Sequence, residues 1–174
     1  MPIFKVLKKE FFIRPTLEVA RDLLGKYLVR QIGKKRLGFR IIETEGYDGS
    51  QDKASHASRG RTPRNEIMFG QGGYFYVYLV YGMHYMLNTV TGPEDYPAAV
   101  LIRGIEGFEG PGKLTKKLKI DLSFNKEIIS PQTGLWIEDR KEVVSDKDIV
   151  RRPRVGVDYA GSTWSQKPYR FMLK

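Results

Sequence analysis

Residues 74–90 read YFYVYLVYGMHYMLNTV. Eight aromatic and aliphatic residues run without a break to Gly82, and a second apolar run follows at once. Bulky aromatic and β-branched side chains suit a pleated strand. A glycine between two such runs marks a hairpin, here with its bend near Tyr81–His84. Strand alternation puts Tyr74, Tyr76 and Tyr78 on one face and Phe75, Val77, Leu79 and Tyr81 on the other. A hairpin of this strength commits the sheet to antiparallel pairing.

The flanking segments extend the same pattern. KYLVRQI and RLGFRIIETEGY read as two strands joined by a Gly-Lys-Lys turn, and PAAVLIRGIEG as another strand. TGLWIED gives a later strand, and KPYRFML, after VGVDYAGS, closes the chain. Helices are few and short. TLEVARDLL has the apolar spacing of a helix with Thr16 as N-cap and Gly25 as stop, and GPGKLTKKLKID reads as a basic helix begun at a glycine. Pro63 starts a helical turn through residues 65–69, ended by the glycines of GQGG. No repeat or linker divides the chain. The expected fold is α+β: a single mixed domain over residues 1–174, with a largely antiparallel sheet, flanking short helices and a protruding β-hairpin.

Composition narrows the chemistry. With no cysteine, the chain has no disulfide, thiolate metal site or cysteine nucleophile, and two histidines make a histidine-rich metal site unattractive. No apolar run reaches the roughly 20 residues of a membrane span, and MPIFKVLKKEFFIRPT has no apolar leader core. A net charge of +10 favours a polyanionic partner. The cations are dispersed, from Lys34–Arg36 through Arg59, Arg61 and Arg64 to Arg151, Arg152 and Arg154.

Candidate chemistry gathers in IIETEGYDGSQDKASHASRG, residues 41–60. Two-residue periodicity gives Glu43, Glu45 and Tyr47 a common face, so either acid is available for function. His56 follows in a polar loop, where satisfaction by backbone groups is the ordinary alternative. Tyr81 beside Met83 at a hairpin tip is a plausible wedge for a nucleic-acid duplex. GQGG and GPGK lack the spacing and the Ser/Thr of a phosphate loop, leaving Lys113 at most a phosphate contact.

Taken together, ETEGYDG, the following His56, TPRNEIMF, YVYLVYGMHYMLN, AVLIRGIEG, GPGKL and RVGVDYAG resemble, in order, the alkyladenine (3-methyladenine) DNA glycosylase family. The likeness runs from about Phe11 to Leu173, with the compact length of a bacterial member. It implies a monofunctional glycosylase that flips alkylated purines out of duplex DNA and hydrolyses them off, leaving an abasic site. The expected bases are 3-methyladenine and 7-methylguanine, with hypoxanthine and ethenoadenine as further candidates. By position, Glu45 matches the general base and Arg103 the arginine that helps hold the attacking water, with a main-chain carbonyl near Val155. Tyr47 would stack on one face of the base, and His56 with Tyr78 on the other. Asn88 would exclude a purine 2-amino group. Tyr81, with Met83, would enter the minor groove, and Arg64 and Lys113 would touch the DNA backbone.

Arg103 is expected to hold the Glu45 carboxyl down and ionised, as an opposite charge does. The resemblance also implies no cofactor, no lyase step, a monomer with no membrane association, and a cytoplasmic, nucleoid location. The alternative is a non-catalytic basic module that grips nucleic acid through its aromatic hairpin.

Overall fold

A computed structural model describes residues 4–174; residues 1–3, which open the stretch examined for a leader, lie outside it. Among the described residues ten strands are present: β1 (Lys5–Val6), β2 (Tyr27–Ile32), β3 (Lys35–Asp48), β4 (Phe75–Val80), β5 (His84–Val90), β6 (Ala98–Ile105), β7 (Phe108–Glu109), β8 (Leu135–Asp139), β9 (Ile149–Arg152) and β10 (Arg170–Leu173). They form one sheet in the order β1-β8-β2-β3-β6-β5-β4, with β10 joining β3 to β9 and β7 paired to β6. Every strand pairing is antiparallel. Four short α-helices accompany it: α1 (Lys9–Phe12), α2 (Thr16–Asp22), α3 (Pro111–Lys117) and α4 (Gly161–Ser165). The α+β expectation holds, and none of these helices is long and apolar enough to cross a membrane.

Strand β3 is the pivot. Its first half pairs with β2 across a tight turn in which Gly33 takes φ +56°. Its second half pairs with β6, and Glu43–Glu45 also pair with β10. The β3–β6 register shifts on either side of Glu43, a bulge at the start of the acidic stretch. Thr44 nonetheless turns toward α2, where its Oγ1 donates to the Ala20 carbonyl at 2.7 Å. Glu43, Glu45 and Tyr47 therefore face the other way.

Both faces of the sheet are covered. On the helix side, Val19, Leu23, Phe75, Val77, Leu87, Ile102 and Leu114 belong to the main core, each at most 1% exposed. Burial of such a side chain contributes about 1.5–3 kcal/mol. On the opposite side, Tyr76, Ala99 and Met68 form a second cluster with Tyr78 packed against it. The alternation from Tyr74 to Tyr78 thus has a packed layer to serve on each face, while Leu79 beyond it is exposed.

Some local expectations change. Pro15, not Thr16, is the N-cap of α2, and the helix ends at Asp22. Thr16 is buried, and its Oγ1 bonds Thr91 Oγ1 at 3.0 Å, so the hydroxyl is committed to the core rather than the helix end. His84 lies beyond the turn as the first residue of β5, paired with Val80. Its ring rests against α3, where a Cβ at Gly112 would come within 2.8 Å of Nδ1.

Candidate active site

On the face away from α2 and α3, the sheet floors a cavity of about 430 Å³, closed by the loop after β3, the hairpin and the segment after β9. That size lies within the roughly 300–1,000 Å³ of small-ligand pockets. Glu45 sits on its floor with no exposed surface when the whole residue is considered. Two hydrogen bonds and one ion pair hold the carboxylate. The Val155 N–H donates to Oε2 at 2.7 Å, the Tyr47 hydroxyl donates to Oε1 at 3.0 Å, and Arg103 NH1 lies 3.7 Å from Oε1. Val155 meets Glu45 through its amide, a contact separate from the water-holding carbonyl expected there.

Arg103 is shared. Its Nε donates to Glu43 Oε1 at 3.2 Å, and Arg170 approaches the same oxygen at 3.1 Å. Glu43 is thus neutralised from two sides, and Glu45 is the acid that faces the cavity. Arg103 does pull the Glu45 carboxyl down as expected, but the net direction is upward from its ordinary value. Burial between two packed faces is the largest cause; Arg103, the Val155 amide and Tyr47 pull it down less strongly, and Glu43 pushes it up.

The aromatic walls come from three places. Tyr47 follows Glu45 on the same face of β3. Its phenol is pushed far up by burial and by the Glu45 charge, so it stays a donor. Tyr78 comes from β4, and burial raises its phenol too. His56 begins a single 3₁₀ turn, His56–Arg59, capped by the Ser55 side chain. His56 Nδ1 and the Tyr76 hydroxyl share a hydrogen bond of 3.0 Å. Partial desolvation against these rings, and then the Arg64 cation, hold the imidazole below the usual histidine range, so it is neutral at neutral pH. The His56 and Tyr78 rings meet at 66° with centroids 4.7 Å apart, so a flat molecule can lie parallel to only one of them.

Asn88 is 2% exposed at the back of the cavity. Its amide nitrogen donates to the Tyr76 carbonyl at 3.1 Å and more weakly to that of Met86 at 3.4 Å, leaving Oδ1 as its free polar atom. At the mouth, Tyr81 is 90% exposed. Tyr81 and Gly82 take φ +53° and +65°, and the Met83 N–H closes the turn on the Val80 carbonyl at 3.1 Å. This is the type I′ geometry of a tight hairpin, with tyrosine in a position that suits Asn or Gly. Met83 is exposed beside it, outside the cavity.

Arg64 lies over the Tyr78 ring at 5.0 Å and lines the cavity, while Lys113 is exposed on α3 and is not brought to it. Sequence reasoning gave Arg154 no role, counting it only among the cations dispersed along the chain. Its guanidinium is fully buried in a bidentate pair with Asp52, at 2.5 and 2.9 Å. Among the described residues no group of three or more His, Cys, Asp or Glu side chains is arranged to hold a metal ion.

The sequence matches the family model of methylpurine-DNA glycosylase (MPG) over residues 10–109 and 107–174. Relatives named "Putative 3-methyladenine DNA glycosylase" occur across bacteria and archaea. The protein of Methanocella arvoryzae is 49% identical over 97% of this chain and 92% of its own length. That of Psychrobacter cryohalolentis is 44% identical over 91% and 88%, and that of Borrelia garinii subsp. bavariensis 42% over 97% and 96%. The chain therefore belongs to the methylpurine-DNA glycosylase family, DNA repair hydrolases that act on the N-glycosidic bond.

Proposed function

We propose that this glycosylase flips alkylated purines out of duplex DNA, with 3-methyladenine and 7-methylguanine as its main substrates, and hydrolyses them off to leave an abasic site. The observation that carries the reading is a buried carboxylate, Glu45, on the floor of a cavity walled by Tyr47, His56 and Tyr78 and sized for a base. A base within the duplex is out of reach of any catalytic group, and flipping it costs a few kcal/mol, least for damaged or poorly paired bases. Tyr81 enters the stack and fills the gap, and basic side chains on the flanking phosphates, Arg64 among them, offset the rest.

In the cavity the base stacks on Tyr47, with Tyr78 and His56 opposite. Aromatic faces attract a cationic alkylpurine by about 0.5–2 kcal/mol each, and a neutral His56 adds no opposing charge. Asn88 narrows the site against a purine 2-amino group. Hydrolysis then breaks the bond between C1′ and the base nitrogen, with the electron pair leaving on the base, while a water oxygen bonds to C1′. The Glu45 carboxylate takes the water's proton and stabilises the positive charge developing on the sugar. A carboxylate has about four lone-pair positions. Tyr47 takes one on Oε1 and Val155 one on Oε2, so Oε2 keeps a position for the water while Arg103 acts through its charge. A raised carboxyl makes Glu45 a stronger base than an exposed glutamate.

No lysine is assigned to form a Schiff base, so the reaction ends at the abasic site. Residues 1–174 act as one domain and as a monomer, in the cytoplasm at the nucleoid. Hypoxanthine and ethenoadenine are secondary substrates. Membership of a hydrolase family weighs against the non-catalytic module. The test is excision from duplex oligonucleotides carrying single lesions, wild type against Glu45→Gln. Release of 3-methyladenine by the wild type and its loss in the variant are expected; a fully active variant refutes the assignment of the base.

A further inference from the structure

We propose that Arg154 is a positioning residue that sets the Tyr47 wall and the Val155 amide against Glu45. The proposal builds on the roles given to Glu45 and Tyr47 above. Arg154 does not line the cavity, whereas Tyr47 does, and its guanidinium carbon lies 4.8 Å from the centre of the Tyr47 ring. The cation therefore backs the ring away from the base. A second ring, Tyr169, lies 5.1 Å from the same carbon.

Four of its five N–H donors are used, and they join the three segments that meet at the site. NH1 donates to the Gly46 carbonyl at 2.9 Å, between Glu45 and Tyr47 on β3. NH1 and NH2 together hold Asp52, which also accepts the N–H groups of Asp48 and Ala54 and so fixes the loop leading to His56. NH2 also reaches the Trp164 carbonyl at 3.4 Å in the C-terminal segment. The residue after Arg154 is Val155, whose amide sits on Glu45. One planar group thus fixes the spacing of the ring, the carboxylate and the loop.

A buried ion pair adds little net stability, because desolvation of both partners opposes their attraction. What the pair supplies here is geometry. A lysine ammonium is a point charge that can neither bind Asp52 bidentately while reaching Gly46 nor lie flat on a ring.

Arg154→Lys isolates this, since it keeps the charge. It is compared with wild type and Glu45→Gln for thermal unfolding, affinity for undamaged duplex, and single-turnover excision of 3-methyladenine across pH. The other groups facing Glu45, namely Arg103, Glu43, Tyr47, Tyr78 and Tyr159, keep their identity, so any shift reports their placement. Expected are duplex affinity within about twofold of wild type and an excision rate lower by roughly 10–100-fold, the size of a small misplacement at a reacting centre. The acid limb of the pH–rate profile should move upward, because Glu45 loses the Val155 and Tyr47 donors that counter its burial.

A folded Arg154→Lys protein with the wild-type rate overturns the proposal, as does a lower rate with an unmoved acid limb. Should the single variant fail to fold, Asp52→Asn with Arg154→Met leaves no orphan charge and is judged by the same two readings. If Glu45→Gln excises at the wild-type rate, it is the assignment of Glu45 that fails, not the clamp.

Discussion

Replacing Tyr81 by asparagine separates the stability of the hairpin from its use. Tyr81 is 90% exposed at φ +53°, so it buries almost nothing in the free protein while its backbone is left-handed. That conformation costs an L-residue about 1–2 kcal/mol, whereas Asn tolerates it and Asn-Gly is the preferred pair for a type I′ turn. Tyr81→Asn should therefore stabilise the fold by about 1 kcal/mol, a rise in melting temperature of roughly 2–4 °C for a chain of this size. Removing the wedge should also cost about 2 kcal/mol in the flipping step, or roughly 30-fold in the single-turnover rate on a paired lesion. A lesion in single-stranded DNA needs no wedge and should be cut at nearly the wild-type rate. The assay is thermal denaturation alongside single-turnover excision from paired and single-stranded oligonucleotides. A lower melting temperature, or an unchanged rate on the paired lesion, would refute the reasoning.

Glu45→Gln should raise the melting temperature at neutral pH while abolishing excision. Burial lifts the folded-state carboxyl above its unfolded value, so the native state binds more protons between those values and loses stability as pH rises through that interval. Below the ordinary carboxylate range, where both states are protonated, calorimetry should find variant and wild type alike. Excision by the wild type should fall on the acid side as Glu45 protonates, with a midpoint above that of an ordinary glutamate, read from single-turnover rates. His56 gains its charge at low pH too, so a cationic 7-methylguanine should lose ground to neutral hypoxanthine as pH falls, measured by competition between the two; His56→Gln should remove that difference. Arg103→Met removes the main influence holding Glu45 down, so the acid limb of the rate profile should shift to higher pH.

Those parts of the site that lie on regular strands were readable in advance. Alternation places Glu45 and Tyr47 on one face and separates Tyr76 and Tyr78 from Phe75 and Val77, because a period of two survives even the bulge at Glu43. The net direction of the Glu45 charge was not readable. It depends on how completely β6, β10 and the loop after β3 cover the carboxylate, which no local pattern encodes. Arg154 and Asp52 lie 102 positions apart, and a lone arginine in RVGV has no local signature of burial. Strands β1 and β9, two and four residues long, exist through pairing to β8 and β10 rather than through their own propensity.

The position of the strained residue has a geometric reason. Tyr78 and Tyr81 are three residues apart, an odd number, so a regular strand would send Tyr81 to the face of Phe75 and Val77, away from the cavity. Ending β4 at Val80 and turning left-handed at Tyr81 frees the side chain from that parity and aims it into solvent at the cavity mouth. Three residues of extended chain span about 10 Å, so Tyr81, one step past the end of β4, stands a short distance from the Tyr78 ring. On the proposed function, a nucleotide displaced by the tip would meet a receiving ring placed by the strand that leads into that tip. A glycine in place of Tyr81 would satisfy the turn equally well but would offer no side chain for the proposed wedge. On that reading, the left-handed backbone at Tyr81 follows from placing the ring on β4 and the wedge in the turn just after it.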